Sequence, residues 1–187
     1  MPIKKYGLLL FVFVILTTLS CKKDEEPELP PLDTLTITTL QYTLMTSGED
    51  PVVLSYRDLD GNGGDDPIIE GGTLKANTIY FGSLELSNES EDPAEDITKV
   101  IEDDLREYQF FFILNDLNLN VSYADVDGDG NPVGLFTAVN TAEAESGNLV
   151  INLQQDPNKL ADGVRDGELL NALGTTAIQV SFPVTIQ

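Results

Sequence analysis

The chain has no histidine, no tryptophan and a single cysteine, and basic residues number 10 against 32 acidic ones in 187. Each shortage closes off a class of function. Without imidazole, and with its one thiol accounted for below, the protein lacks the nitrogen and sulfur donors that hold zinc, copper or iron. Any metal site must therefore be built from oxygen. The same absences remove Ser-His-Asp and Cys-His nucleophilic machinery, leaving carboxylate pairs, Ser-Lys arrangements and metal-assisted chemistry. Among 32 carboxylates no acid pair stands out, so the chain is read as a non-enzyme, with a carboxylate-dependent glycosidase as the catalytic alternative. A net charge of −22 repels nucleic acid and anionic headgroups and attracts cations and basic partners.

The single cysteine lies at the end of a particular N-terminus. Lys4 and Lys5 precede an uncharged apolar run from Gly7 to Leu19, and Ser20-Cys21 closes it. Basic start, apolar core and small-residue end are the layout of a secretory signal. The run has 13 residues, too short to span a bilayer core as a helix comfortably. Cys21, preceded by Ser20, resembles the lipidated cysteine of a lipobox, although Thr18 stands where leucine is usual. Thioether lipidation gives a secreted chain with one unpaired cysteine a reason for it.

The expected organisation is a lipoprotein signal peptide over residues 1–20, the lipidated Cys21 and a flexible tether over 21–33, and a domain over 34–187. The tether, KKDEEPELPPLD after Cys21, is charged and Pro-rich and cannot bury apolar surface. Its Lys-Lys-Asp-Glu-Glu start resembles the export signal of Bacteroidota surface lipoproteins. The expected location is the outer membrane, lipid-anchored, on the cell surface, with the periplasmic face as the alternative. Loss of residues 1–20 leaves 167 residues, 8 basic against 32 acidic, a net charge of −24.

Period-two alternation then dominates, the mark of strands with one face on a core. It is clearest in Leu117, Leu119, Val121 and Tyr123, in Leu149, Ile151 and Leu153, and in Ile178, Val180, Phe182, Val184 and Ile186. Less regular strands are expected at 35–45, 52–56, 78–86 and 133–139. The continuous apolar run 110–114 predicts a central strand buried on both faces, and Asn115-Asp116 a tight turn into a hairpin partner. Pro183 cannot donate to a ladder, so the last strand is expected at an edge or beside a partner that ends there. One helix is expected from Asp92 as N-cap, with Pro93 at the first position, Glu95 completing a capping box, and Ile97, Val100, Ile101, Leu105 and Tyr108 on one face. The fold class is mainly β, an antiparallel β-sandwich of Ig-like or jelly-roll type with one short helix. The aromatics Tyr56, Phe110, Phe111, Phe112 and Tyr123 lie within or beside these strands and are read as core rather than as a sugar platform.

One motif occurs twice. Residues 55–63, SYRDLDGNG, match residues 122–130, SYADVDGDG, at an offset of 67. A pseudo-duplicated sandwich is the economical reading, since a half of this size would be marginal alone. D-x-D-G-[ND]-G sets oxygen side chains at alternate positions around a glycine turn, as calcium loops do. Asp58, Asp60, Asn62 and Asp65 are the candidate ligands of the first loop, with Asp66 or Glu70 in reserve. Asp125, Asp127 and Asp129 are those of the second, which must borrow another ligand, with Asp162 or Asp166 as candidates. Neither loop is an EF-hand, because Ile69 and Phe136 stand where the bidentate glutamate belongs. Calcium is the cofactor these loops would take. The alternative is that Asp, Asn and Gly serve the turns themselves.

From Tyr56 onward the chain resembles a group of small acidic Bacteroidota surface lipoproteins, through LSYRDLDGNGGDDP, GGTLKANTIYFGSLELSNES, PAEDIT, QFFFIL, DGDGNPVGL and the closing VSFPVTIQ. Members often carry the name of the type 1 periplasmic-binding fold, which alternates helices and parallel strands over a longer chain than this one. The resemblance implies an accessory role beside a TonB-dependent outer-membrane transporter. It also implies that a histidine some members carry near QFFFIL is replaced here by Tyr108. The expected function is a non-catalytic binding lipoprotein; a calcium-stabilised adhesion or structural module is the alternative.

Overall fold

The computed structural model describes residues 35–61 and 63–187. The signal, Cys21, the tether and Asn62 lie outside the described residues. Two β-sheets face each other across one core, as the alternation requires. The larger runs in the order β3-β2-β1-β5-β9-β8, with the two-residue β6 against β5. Its strands are β1 (Thr39–Met45), β2 (Val52–Arg57), β3 (Ile68–Glu70), β5 (Ile79–Asn88), β6 (Glu95–Asp96), β8 (Leu119–Tyr123) and β9 (Phe136–Thr141). The smaller sheet runs β4-β11-β10-β7, from β4 (Gly72–Leu74), β11 (Thr175–Ile186), β10 (Glu145–Gln155) and β7 (Tyr108–Asn115). All neighbours are antiparallel except β4, which lies parallel to β11. The fold is thus the mainly β sandwich that the period-two pattern predicts.

The core forms where the inward residues of both sheets meet. Leu40, Tyr42 and Leu44 of β1 and Leu84 and Leu86 of β5 pack against Phe110, Leu149, Ile151, Leu153 and Phe182 of the smaller sheet. Tyr42 is fully buried, and its hydroxyl is satisfied by Thr137 Oγ1 at 2.6 Å. Gly82 makes this pair possible. A Cβ there would press into the Thr137 hydroxyl and the Tyr42 ring.

Three expectations for this region need correction. First, β7 is an edge strand, paired only with β10. Its outward Phe111 is nonetheless fully buried, because Val164 and Ala172 from the long β10–β11 connection cover it. A continuous apolar run reports burial on both faces, and here a loop supplies the second cover. Second, Asn115-Asp116 is not a hairpin turn, since β7 pairs with β10 and β8 with β9 in the other sheet. The chain crosses between sheets at that point. Third, the helix α1 is Ile97–Asp103 and its N-cap is Asp96, whose carboxylate accepts from Lys99 N at 3.1 Å. Asp92 does not cap it, because Glu95 and Asp96 are extended against Asn88 and Ser87 of β5. Only Ile97 and Ile101 of the expected face are buried within the helix, and Tyr108 belongs to β7.

Pro183 fits its place. β11 pairs along its length with β10, and the short β4 joins its other side only from Val184 onward. The two SYxDxDGxG copies end β2 and β8 of the same sheet, each followed by an antiparallel return strand, β3 or β9. Beyond those returns the echo stops. The strand holding Ile79–Asn88 lies in the larger sheet, and the one holding Glu145–Gln155 in the smaller.

Candidate functional site

Two features stand out from the sandwich: the Asp-rich loops at the ends of β2 and β8, and the outer face of the larger sheet. In the first loop Asp58 and Asp60 close turns. Asp58 Oδ1 accepts from Gly61 N at 2.8 Å and Oδ2 from the Tyr56 hydroxyl at 3.3 Å. Asp60 Oδ2 accepts from Asp65 N at 2.8 Å, and that amide, above other contacts, holds the Asp60 carboxyl below its usual range. The loop is exposed. Asp65 contributes its backbone to Asp60, and Asn62 lies outside the described residues.

The second loop is organised differently, and each aspartate has its own partner. Asp125 accepts from Gly134 N at 2.7 Å and Phe136 N at 3.1 Å, clasping the start of β9. Asp127 is buried. Its Oδ1 accepts from Asp129 N and Asn131 N, both at 2.9 Å, and its Oδ2 meets Lys159 Nζ at 3.1 Å. Asp129 reaches outward to Arg106, with Nε at 2.7 Å. Lys159 Nζ also donates to Leu105 O at 2.7 Å, and Arg165 donates to Gly130 O at 2.9 Å.

The segment expected to lend this loop Asp162 or Asp166 does approach it, but the side chains it delivers are cations. Lys159 takes the role of a bound cation beside Asp127, with both side chains almost wholly out of solvent. Burial pushes the Asp127 carboxyl up, but the Asn131 amide, the Lys159 ammonium and the Asp129 amide outweigh it, and the pKa falls to about 2. The same burial draws the Lys159 ammonium down, with Asp127 opposing. Among the described residues no three His, Cys, Asp or Glu side chains are grouped to hold a metal ion. Arg106, Lys159 and Arg165 were not singled out by sequence. The available signal was scarcity: in a chain with 10 basic residues, three converge here.

The outer face of the larger sheet carries what alternation does not announce. Residues facing away from the core on successive strands include Met45, Val53, Ile79, Phe81 and Phe136, and Phe81 and Ile79 are 65% and 59% exposed. The ladders set Met45 opposite Phe81, with Phe136 and Val53 as their diagonal neighbours, since Phe136 lies opposite Ser83 and Val53 opposite Thr43. Contiguous apolar surface of this kind on a sheet marks an interaction site, whereas isolated exposed hydrophobics do not. Further along the same face, a groove of about 540 Å³ lies between α1 and the β1–β5 ladder. Its walls include Glu85, Glu89, Glu95, Asp96 and Glu102.

Comparison of the chain with protein-family models, with curated proteins and with solved structures gives no match.

Proposed function

We propose that this protein is a non-catalytic binding lipoprotein, anchored through Cys21 in the outer membrane, facing the cell surface, and serving as an accessory to a transporter there. The observation that carries the binding role is the apolar cluster on the outer face of the larger sheet, formed by Met45, Val53, Ile79, Phe81 and Phe136. A sheet facing water on one side has that side polar, and five large apolar side chains on neighbouring strands depart from it. The signal-like N-terminus with its lone cysteine supports the address. The resemblance to Bacteroidota surface lipoproteins supports the transporter neighbourhood by analogy.

The lipidated protein, extracted from its own outer membranes in mild detergent, is expected to co-purify in fixed ratio with an outer-membrane β-barrel. Extraction without any such companion would count against the reading.

The second reading, a calcium-stabilised adhesion or structural module, rests on the paired Asp-rich loops. For the second loop it would require calcium to displace Lys159 and Arg106 from carboxylates they already neutralise. The first loop, where Asp60 is exposed and no ion pair holds Asp58 or Asp60 among the described residues, is the better candidate. A calcium-specific rise in unfolding midpoint, with magnesium as control, is its test.

A further inference from the structure

The apolar cluster and the groove beneath α1 share one face of one sheet. Along β5 the outward residues run Ile79, Phe81, Ser83, Glu85 and Ser87. Phe81 and Glu85 are four residues apart, about 14 Å along a strand. An apolar half thus passes directly into an acidic half.

The acidic half is poorly neutralised. Glu89 is paired with Arg57 at 2.9 Å, and the one lysine of the groove, Lys99, is paired with Asp103, outside its walls, while also lying within the field of Glu102 and Asp96. Among the described residues no ion pair involves Glu85, Glu95 or Glu102. Thr39, 5% exposed and facing the groove from β1, has its hydroxyl against the Glu89 carboxylate, and together with Arg57 it holds that carboxyl below its usual range.

We propose that this face docks a partner segment carrying Lys or Arg side chains for the carboxylate groove next to apolar side chains for the Phe81–Phe136 cluster. The proposal deepens the binding role argued above and rests on it. Charge complementarity selects the occupant. A second copy would bring the same carboxylates against these, and like charges in an interface cost several kcal/mol. A basic segment instead meets a negative field that steers it in.

The test uses the lipidated full-length chain in phosphatidylcholine nanodiscs, with empty nanodiscs as blank. The probe is a fluorescein-labelled octapeptide with leucine at its first and third positions, arginine at its fifth and seventh, and serine elsewhere, followed by anisotropy. Glu85→Gln/Glu102→Gln is expected to weaken binding about tenfold. Glu143→Gln/Glu145→Gln removes the same charge beside the smaller sheet and is expected to change it less than about twofold. Phe81→Ser/Phe136→Ser is expected to weaken it as much as the groove variant. Equal losses from the groove and control variants would reduce the effect to diffuse attraction and overturn the proposal. So would absence of peptide binding, indifference to Phe81→Ser/Phe136→Ser, or binding of a neutral glucan oligosaccharide in its place. If the peptide fails while the outer-membrane companion is still captured through Phe81 and Phe136, the inference falls and the binding role stands.

Discussion

Lys159 shows how much one side chain changes the meaning of a motif. Its ammonium, held between Asp127 and the Leu105 carbonyl, neutralises the buried carboxylate of the second loop. Removing it leaves an unpaired buried charge, so Lys159→Met is expected to cost about 3–5 kcal/mol. Urea unfolding reads this directly. Adding Asp127→Asn to that variant is expected to recover part of the loss, because an amide buries at lower cost and can still accept from the Asn131 and Asp129 amides; no recovery would mean the ammonium matters only for packing. The pair also sets an acid limit. Asp127 is depressed from 3.8 to about 2, so its contribution is fully present above the unfolded value and is lost as pH falls through the folded one. It amounts to about 2 kcal/mol. Unfolding free energy is expected to drop between about pH 4 and pH 2, and the Asp127→Asn variant to show a shallower drop.

Among the elements, α1 and β5 carry most of the candidate face. Asp96 caps α1, and Asp96→Ala is expected to destabilise by about 1 kcal/mol, lowering the thermal midpoint by about 2–4 °C. Gly82→Ala, which drives a methyl into the Tyr42–Thr137 pair, is expected to cost about 1–3 kcal/mol; a neutral effect would contradict the packing around that hydrogen bond. The strands themselves are legible, because inward Leu, Ile, Val and Phe recur at every second position in β8, β10 and β11. The partners are not. Nothing in 110–123 distinguishes a hairpin from a crossing between sheets, since both need a turn at Asn115-Asp116 and both bury the same residues. The helix start was misplaced because Asp92 and Asp96 are equally good caps locally, and pairing of Glu95 and Asp96 with β5 decides between them. The loops are legible as Asp-rich turns, while neutralisation of the second by Arg106 and Lys159 depends on contacts 23 and 32 residues away in sequence. For the second loop, calcium is expected to raise the midpoint no more than magnesium does. A calcium-specific rise abolished by Asp129→Asn would contradict that.

At the scale of the molecule, charge and shape divide the work. A net charge of −22 gives the molecule a negative field that favours cationic over anionic surfaces, and the core between the two sheets carries the proposed binding face. That face was invisible in the sequence. Phe81 and Phe136 sit in strand patterns with the same period as the core, and only the fold tells which side of the sheet they occupy. The central claim is that these side chains are kept for a partner and not for stability. It is tested most directly by the Phe81→Ser/Phe136→Ser variant in its native outer membrane, measured both for thermal midpoint and for co-purification with the β-barrel companion. An unchanged or raised midpoint together with loss of the companion is the predicted result. A midpoint lowered by several degrees, or a companion retained in full, would contradict it.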